Sequence, residues 1–214
     1  MKELKNRLIA IAMEKINGTD SSHDFTHALR VLKNAERIAS CEGGDLEIII
    51  PAALFHDIVV YPKNDPRSKF ESDESAEVAK KILINVNEYS SDKIIRVMQV
   101  IREHSFRKGI KPKMIESKII QDADKLEVTG AIGVMRTFSS TGQMKRKFYH
   151  DGDPFCKKRI PDSRRFGMDL FYDRLLIAKD RMNTKTAREI AEKRTEFLQG
   201  FLEQVREELF GITY

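Results

Sequence analysis

The 214-residue chain has no tryptophan and only two cysteines. Cys41 and Cys156 stand far apart and outside any metal-ligand spacing. That excludes a disulfide framework and a cysteine metal knuckle, and it fits a reducing compartment. No stretch approaches the roughly 20 apolar residues of a membrane span. No apolar signal core follows Met1-Lys2-Glu3. The expected location is therefore cytoplasmic, with no membrane as a partner. Runs that alternate apolar and polar residues over strand length are missing, as are internal repeats and low-complexity tracts.

What is present is a globular composition, with 41% hydrophobic and 33% charged residues. The length suits one domain, residues 1–214, with an ample core. A net charge of +5 favours anionic ligands such as phosphates and does not by itself indicate nucleic acid. With few aromatics and no recognised nucleic-acid module, nucleic acid is an unlikely partner. Oligomeric state is left open.

Helical periodicity dominates. Leu4, Leu8, Ile11, Ala12 and Ile16 mark a first helix, stopped by Asn17-Gly18. A second is expected from about Asp24 to Ser40 and is ended by Gly43-Gly44. Asp45 caps a third, which carries His56-Asp57 near its end. Residues 59–70 read as a polar loop, then helices cover 74–85 and 91–104, and 106–112 form a basic loop. A helix over 115–138 is expected to break near Gly130. Residues 139–161 read as a long surface loop or lid, followed by helices over 167–182 and 184–209. The fold class is all-α: a helical bundle with a core over about 20–138 and a C-terminal helical extension over about 167–211.

His56-Asp57 is the most informative pair. It closes the apolar run Ile48-Ile49-Ile50-Pro51-Ala52-Ala53-Leu54-Phe55, where a metal ligand beside a carboxylate is out of place unless it has a task. His27 lies upstream and Asp124 downstream. Two imidazoles and two carboxylates suffice to hold a divalent ion and leave positions for water and substrate. Neighbours on a helix point roughly 100° apart. His56 and Asp57 therefore share one ion only in the cleft between their two faces, as in metal sites built from facing helices.

In this order, His27, His56-Asp57 and Asp124 resemble the H…HD…D signature of the HD superfamily of metal-dependent phosphohydrolases. The likeness extends to a subgroup of small HD proteins of mostly unassigned substrate. It runs through Ser22-His23-Asp24, Ala52-Ala53-Leu54-Phe55-His56-Asp57-Ile58, Glu103-His104-Ser105-Phe106, Gln121-Asp122-Ala123-Asp124-Lys125-Leu126 and Met182-Asn183-Thr184. The resemblance implies an all-helical HD domain, a bound divalent metal and hydrolysis of a phosphate ester. It makes His27, His56, Asp57 and Asp124 the metal ligands. Asp124 is preferred to Asp122 because the family's last aspartate is followed by a basic residue and Leu, as Lys125-Leu126 follow here. Two positions depart from the subgroup: Glu127 where Asp is frequent, and Leu170 where many relatives carry His.

The expected chemistry is metal-assisted attack of water on phosphorus in a small phosphorylated metabolite, most of all a nucleotide. Asp57 anchors the metal. Lys125 is the first choice of cation for the phosphoryl oxygens, with Arg107 or Lys108 next. His104 is either an additional metal ligand or a general acid, and His23 and Asp24 are candidates for the same work or for orienting water. Two-metal relatives carry another His near the segment that here reads Asp73-Glu74-Ser75. Its absence favours one ion, with Glu74 as a substitute ligand for a second. Imidazole ligation favours Mn, Fe, Co, Ni or Zn over Mg.

Plainer roles compete at several positions. Asp24 suits a helix N-cap, Asp122 a structural carboxylate, Arg30 a salt bridge, and His150 plain solvation. The clusters Lys145-Arg146-Lys147, Lys157-Lys158-Arg159 and Arg164-Arg165 suit a solvated face. The rival to an enzyme is a metal- and nucleotide-binding sensor without turnover.

Overall fold

A computed structural model describes residues 1–16, 24–62, 65–105 and 108–211. Eight α-helices are seen among them: α1 Lys2–Lys15, α2 Phe25–Glu42, α3 Leu46–Phe55, α4 Glu71–Leu83, α5 Ser91–His104, α6 Ile115–Lys125, α7 Gly130–Gln143 and α8 Lys185–Phe210. No strand occurs among the described residues, and one isolated bridge joins Lys147 to Phe166. The all-α expectation holds. Among the described residues no helix is long and apolar enough to cross a membrane. Two compact units divide the chain, Met1–Asp124 and Lys125–Tyr214.

The first unit is organised around α3. Asp45 caps it by accepting from the Glu47 amide, a contact worth about 1 kcal/mol. Every residue from Ile48 to Phe55 is buried, because α3 packs against α1, α2, α4 and α5 at once. An amphipathic stripe would not serve a helix covered on all sides, which is why this sequence is apolar throughout. The N-terminus of α3 is tied down by polar contacts. Glu116, itself buried, accepts from the Asp45 amide and from Arg96, and Lys93 pairs with Glu47. Helix α2 turns its buried face, Val31, Leu32, Ala35 and Ile38, to α3. Gly43 and Gly44, at φ +82° and +104°, make the sharp exit between them, a region open to glycine at little cost. Helix α5 begins after Ser90, whose hydroxyl accepts from Lys93, and ends at His104 as expected.

Three expectations change. The pair His56-Asp57 lies just past the end of α3: His56 is the C-cap and Asp57 opens the following turn. Leaving the helix there lets the two side chains face one point. Residues 139–143 finish α7, and the rest of the expected lid is a packed irregular segment with Pro154 and Phe155 buried. Residues 167–182 do not form an α-helix. They hold a π turn at Phe171–Leu175 and a 3-10 turn at Lys179–Arg181.

The second unit packs Phe155, Met168, Phe171 and Leu175 against Leu198 and Leu202 of α8. Phe171 stacks on Phe201 with ring centroids 5.5 Å apart. Asp169, fully buried, takes both guanidinium arms of Arg159, at 2.5 and 2.6 Å, and the Asp162 amide. That contact fixes the irregular segment to the core.

Candidate metal centre

Four separated positions meet in the first unit. Asp24 starts the arrangement: its carboxylate accepts from the His27 amide at 2.8 Å and the Thr26 hydroxyl at 2.7 Å, capping α2 and fixing its first turn. Burial works to raise the Asp24 carboxyl, but those two donors outweigh it and hold it below the ordinary value. The N-cap role is thus filled by a residue also considered for catalysis. His27 then projects from the first turn of α2, His56 and Asp57 from the end of α3, and Asp124 from the last turn of α6.

The distances are those of ligands around one ion. His27 Nε2 is 3.2 Å from His56 Nε2 and 3.6 Å from Asp57 Oδ2. His56 Nε2 is 3.5 Å from Asp57 Oδ2, and Asp124 Oδ1 is 3.6 Å from His27 Nε2. Bonds of ~2.1 Å place neighbouring ligand atoms roughly 3.0 Å apart at a right angle and 3.4 Å apart at the tetrahedral angle. His27, His56 and Asp57 form a group whose ligand atoms all lie within 4.8 Å of one another.

Tautomer chemistry sharpens the fit. His56 Nδ1 lies 2.8 Å from the Ala53 carbonyl, which only accepts, so Nδ1 carries the proton. Burial pushes the ring's pKa down to about 4, against the pull of Asp57, so His56 is neutral and its Nε2 offers a bare lone pair. That lone pair points at the other donors. A ring nitrogen ordered by a backbone carbonyl on its far side is the usual arrangement of a metal-binding imidazole. The donor set therefore fits a divalent ion.

Both carboxylates stay ionised. Burial would raise Asp57, yet hydrogen bonds from His104, whose own pKa is raised, and from His27 hold it well below the carboxylate range. Asp124 is likewise lowered against its burial, with the fields of His27 and His104 acting on it. The imidazoles are at most 1% exposed, whereas the Asp57 and Asp124 side chains are 19% and 30% exposed. Access from solvent is thus on the carboxylate side.

His104 stands behind Asp57. Its Nδ1 donates to the Ile101 carbonyl at 2.7 Å, and its Nε2 is 3.2 Å from Asp57 Oδ1. The ring meets His56 edge-on, with centroids 5.0 Å apart. Burial would lower its pKa, but Asp57 outweighs that and raises it. Asp57 therefore divides its oxygens: Oδ1 goes to His104 and Oδ2 to the two imidazoles.

The Lys125 ammonium donates to the Arg181 carbonyl at 2.5 Å. Lys108 pairs with Asp73 at 2.8 Å. Glu74 accepts from the Tyr61 hydroxyl at 2.6 Å, so it braces the loop after Asp57. Asp122 is fully buried. Arg30 donates to Thr26 Oγ1 at 3.0 Å. His150 is half-buried: its Nδ1 accepts from the Gly152 and Asp153 amides, and its ring packs on Phe166. His23 and Arg107 lie outside the described residues. The carbonyls of Ala53 and Ile101, which orient two of the imidazoles, were beyond sequence reasoning, because any residue supplies a carbonyl. The i−3 spacing of each to its histidine is the signal that finds them. A depression of 410 Å³ lined by Val59, Phe70, Glu74, Glu77 and Arg102 includes none of the converging residues.

The chain is similar to known proteins over this region and beyond it. The HD domain family matches residues 24–129, which span all four converging positions. The uncharacterized protein YpgQ of Bacillus subtilis (strain 168) is 32% identical over 218 residues, covering 99% of this chain and 98% of the relative. An HD-superfamily hydrolase from Bacillus thuringiensis superposes with a TM-score of 0.75 at 31% identity, covering 97% of each chain. The structure of Bacillus subtilis YpgQ in complex with ADP superposes with a TM-score of 0.73 at 28% identity, covering 98% of this chain and all (100%) of that one. By its sequence, its all-helical fold and the place of its His and Asp residues, the chain belongs to the HD superfamily of hydrolases.

Proposed function

We propose that this protein is a metal-dependent phosphohydrolase acting on a small phosphorylated metabolite of nucleotide type in the cytoplasm. The observation that carries the reading is the meeting of two imidazole nitrogens and two carboxylate oxygens at ligand spacing, with the His56 lone pair bare. The ADP bound by Bacillus subtilis YpgQ supports a nucleotide as the ligand class.

His27, His56, Asp57 and Asp124 would hold the ion. When bound, a divalent ion supplies Lewis acidity toward phosphoryl oxygens and makes water acidic enough to attack near neutral pH. The chain does the rest. Burial keeps His56 unprotonated, so it remains a donor. Asp57 stays ionised and is aimed by His104, which is also the proposed general acid for the leaving oxygen. Lys125, the residue after Asp124, is proposed as the cation that meets the phosphoryl oxygens, with Arg107 and His23 as further contacts. Asp24 contributes by fixing the turn that presents His27.

Incubation with nucleoside di- and triphosphates and Mn²⁺, with products followed by chromatography, tests this. The expected result is selective turnover. Tight nucleotide binding with no product over hours would replace the enzyme with a sensor.

A further inference from the structure

Residues 144–166 hold eight Lys and Arg against three Asp, a surplus of five that equals the net charge of the whole chain. The three acids are occupied. Asp151 pairs with Lys147, Asp153 accepts from the Lys157 and Lys158 amides, and Asp162 accepts from the Arg164 amide. Several cations are also committed: Arg159 is bound to buried Asp169, and half-buried Arg146 lies against Met144. Lys157, Lys158, Arg164 and Arg165 are exposed, and none has an ion-pair partner among the described residues.

Ile160 stands in the middle of these four, 88% exposed. Its exposure is not the fraying of a loose loop. Arg159 on one side is held bidentate by Asp169, and the Asp162 amide on the other donates to the same carboxylate. The Asp153 carbonyl takes the Arg159 Nε as well. A large aliphatic side chain is thus presented outward on a rigid base, flanked in sequence by exposed cations without ion-pair partners among the described residues.

We propose that the loop Lys157–Arg165 is a docking surface for an anionic phospholipid bilayer, with Ile160 entering the headgroup boundary and the four cations facing lipid phosphates. Among the described residues no helix is long and apolar enough to cross a membrane, and a loop lying on the surface makes no such demand. The aliphatic tip separates this reading from nucleic-acid binding. Single strands are held by stacking on aromatic rings. The loop Lys157–Arg165 has no aromatic residue, Phe166 at its end is buried, and the exposed Phe148 of the neighbouring stretch has its ring packed edge-on against Phe138.

The test is flotation of the full chain with vesicles of phosphatidylglycerol and phosphatidylcholine in equal parts, beside vesicles of phosphatidylcholine alone. Binding is expected only to the anionic vesicles and is expected to fall with added salt. Lys157→Ala and Arg164→Ala should each weaken it about fivefold, and Ile160→Ser roughly tenfold. These side chains are exposed, so circular dichroism melts of the variants should match the parent. No flotation would overturn the proposal, as would flotation indifferent to Ile160→Ser. Tighter binding to a single-stranded oligonucleotide than to the anionic vesicles would overturn it in favour of nucleic acid.

Discussion

His56 Nε2 lies 3.2 Å from His27 Nε2, and the opposite nitrogen of the His56 ring is already spent on the Ala53 carbonyl. Two imidazole nitrogens this close share either one proton or one cation, and with a cation the pair becomes part of a ligand shell. Added Mn²⁺ should therefore stabilise the fold by ~3 kcal/mol once it exceeds its dissociation constant about a hundredfold. A thermal scan reads this as a rise in Tm. Asp57→Ala should melt normally without metal and show no rise with it.

Asp24 acts on the same site through the backbone. Its carboxylate caps α2 and holds the turn that carries His27. Asp24→Ala should cost about 1 kcal/mol in urea unfolding and also weaken metal binding, whereas Asp24→Ser should restore most of both. Stability lost with metal affinity unchanged would show that the cap does not position His27.

Asp169 gives an acid-dependent prediction. Burial alone would raise its carboxyl, but Arg159, the Asp162 amide and Cys156 hold it below 3.8. In the unfolded chain the group returns to 3.8. The pair therefore contributes fully above that pH and is lost as pH falls through the lowered folded value. Asp169→Asn should cost about 3 kcal/mol at neutral pH, because it leaves Arg159 without its charge partner. The gap between variant and parent should close below pH 3.8. A gap that persists there would mean packing, not charge, is what Asp169 supplies.

Gly133 marks a close approach after the site's last aspartate. A Cβ there would lie 2.6 Å from the Val128 carbonyl carbon and 2.7 Å from its oxygen, both backbone. Neither atom can swing aside as a side chain would. Gly133→Ala should destabilise the second unit by about 2 kcal/mol despite alanine's better helix propensity.

The sequence made the first unit readable and left half of the second unread, for physical reasons. Asp24 and Asp45 announce helix starts because capping is local chemistry between a side chain and amides two or three residues on. The convergence of His27, His56, Asp57 and Asp124 was legible because the residue types that metal ligation demands are few and stand out in an apolar setting. The segment from 144 to 182 carries no such local signal. Its order comes from Asp169 reaching back ten residues to Arg159, which no periodicity reveals. Residues 166–171 are all buried, so they present no stripe. They lead into a wide turn over Phe171–Leu175, in which the Leu176 amide reaches the Phe171 carbonyl, five residues back. The tie between His104 and Asp57 Oδ1 depends on how α5 meets the end of α3, and spacing along the chain does not encode it.

The most direct test of the metal centre is the release of phosphate or pyrophosphate from nucleotides by the parent and by Asp57→Ala, each with Mn²⁺ and with a chelator. Turnover is expected only in the parent with metal, and both the chelator and the substitution should abolish it. Equal turnover in the two proteins, or turnover that survives the chelator, would place the chemistry elsewhere and contradict the assignment of His27, His56, Asp57 and Asp124.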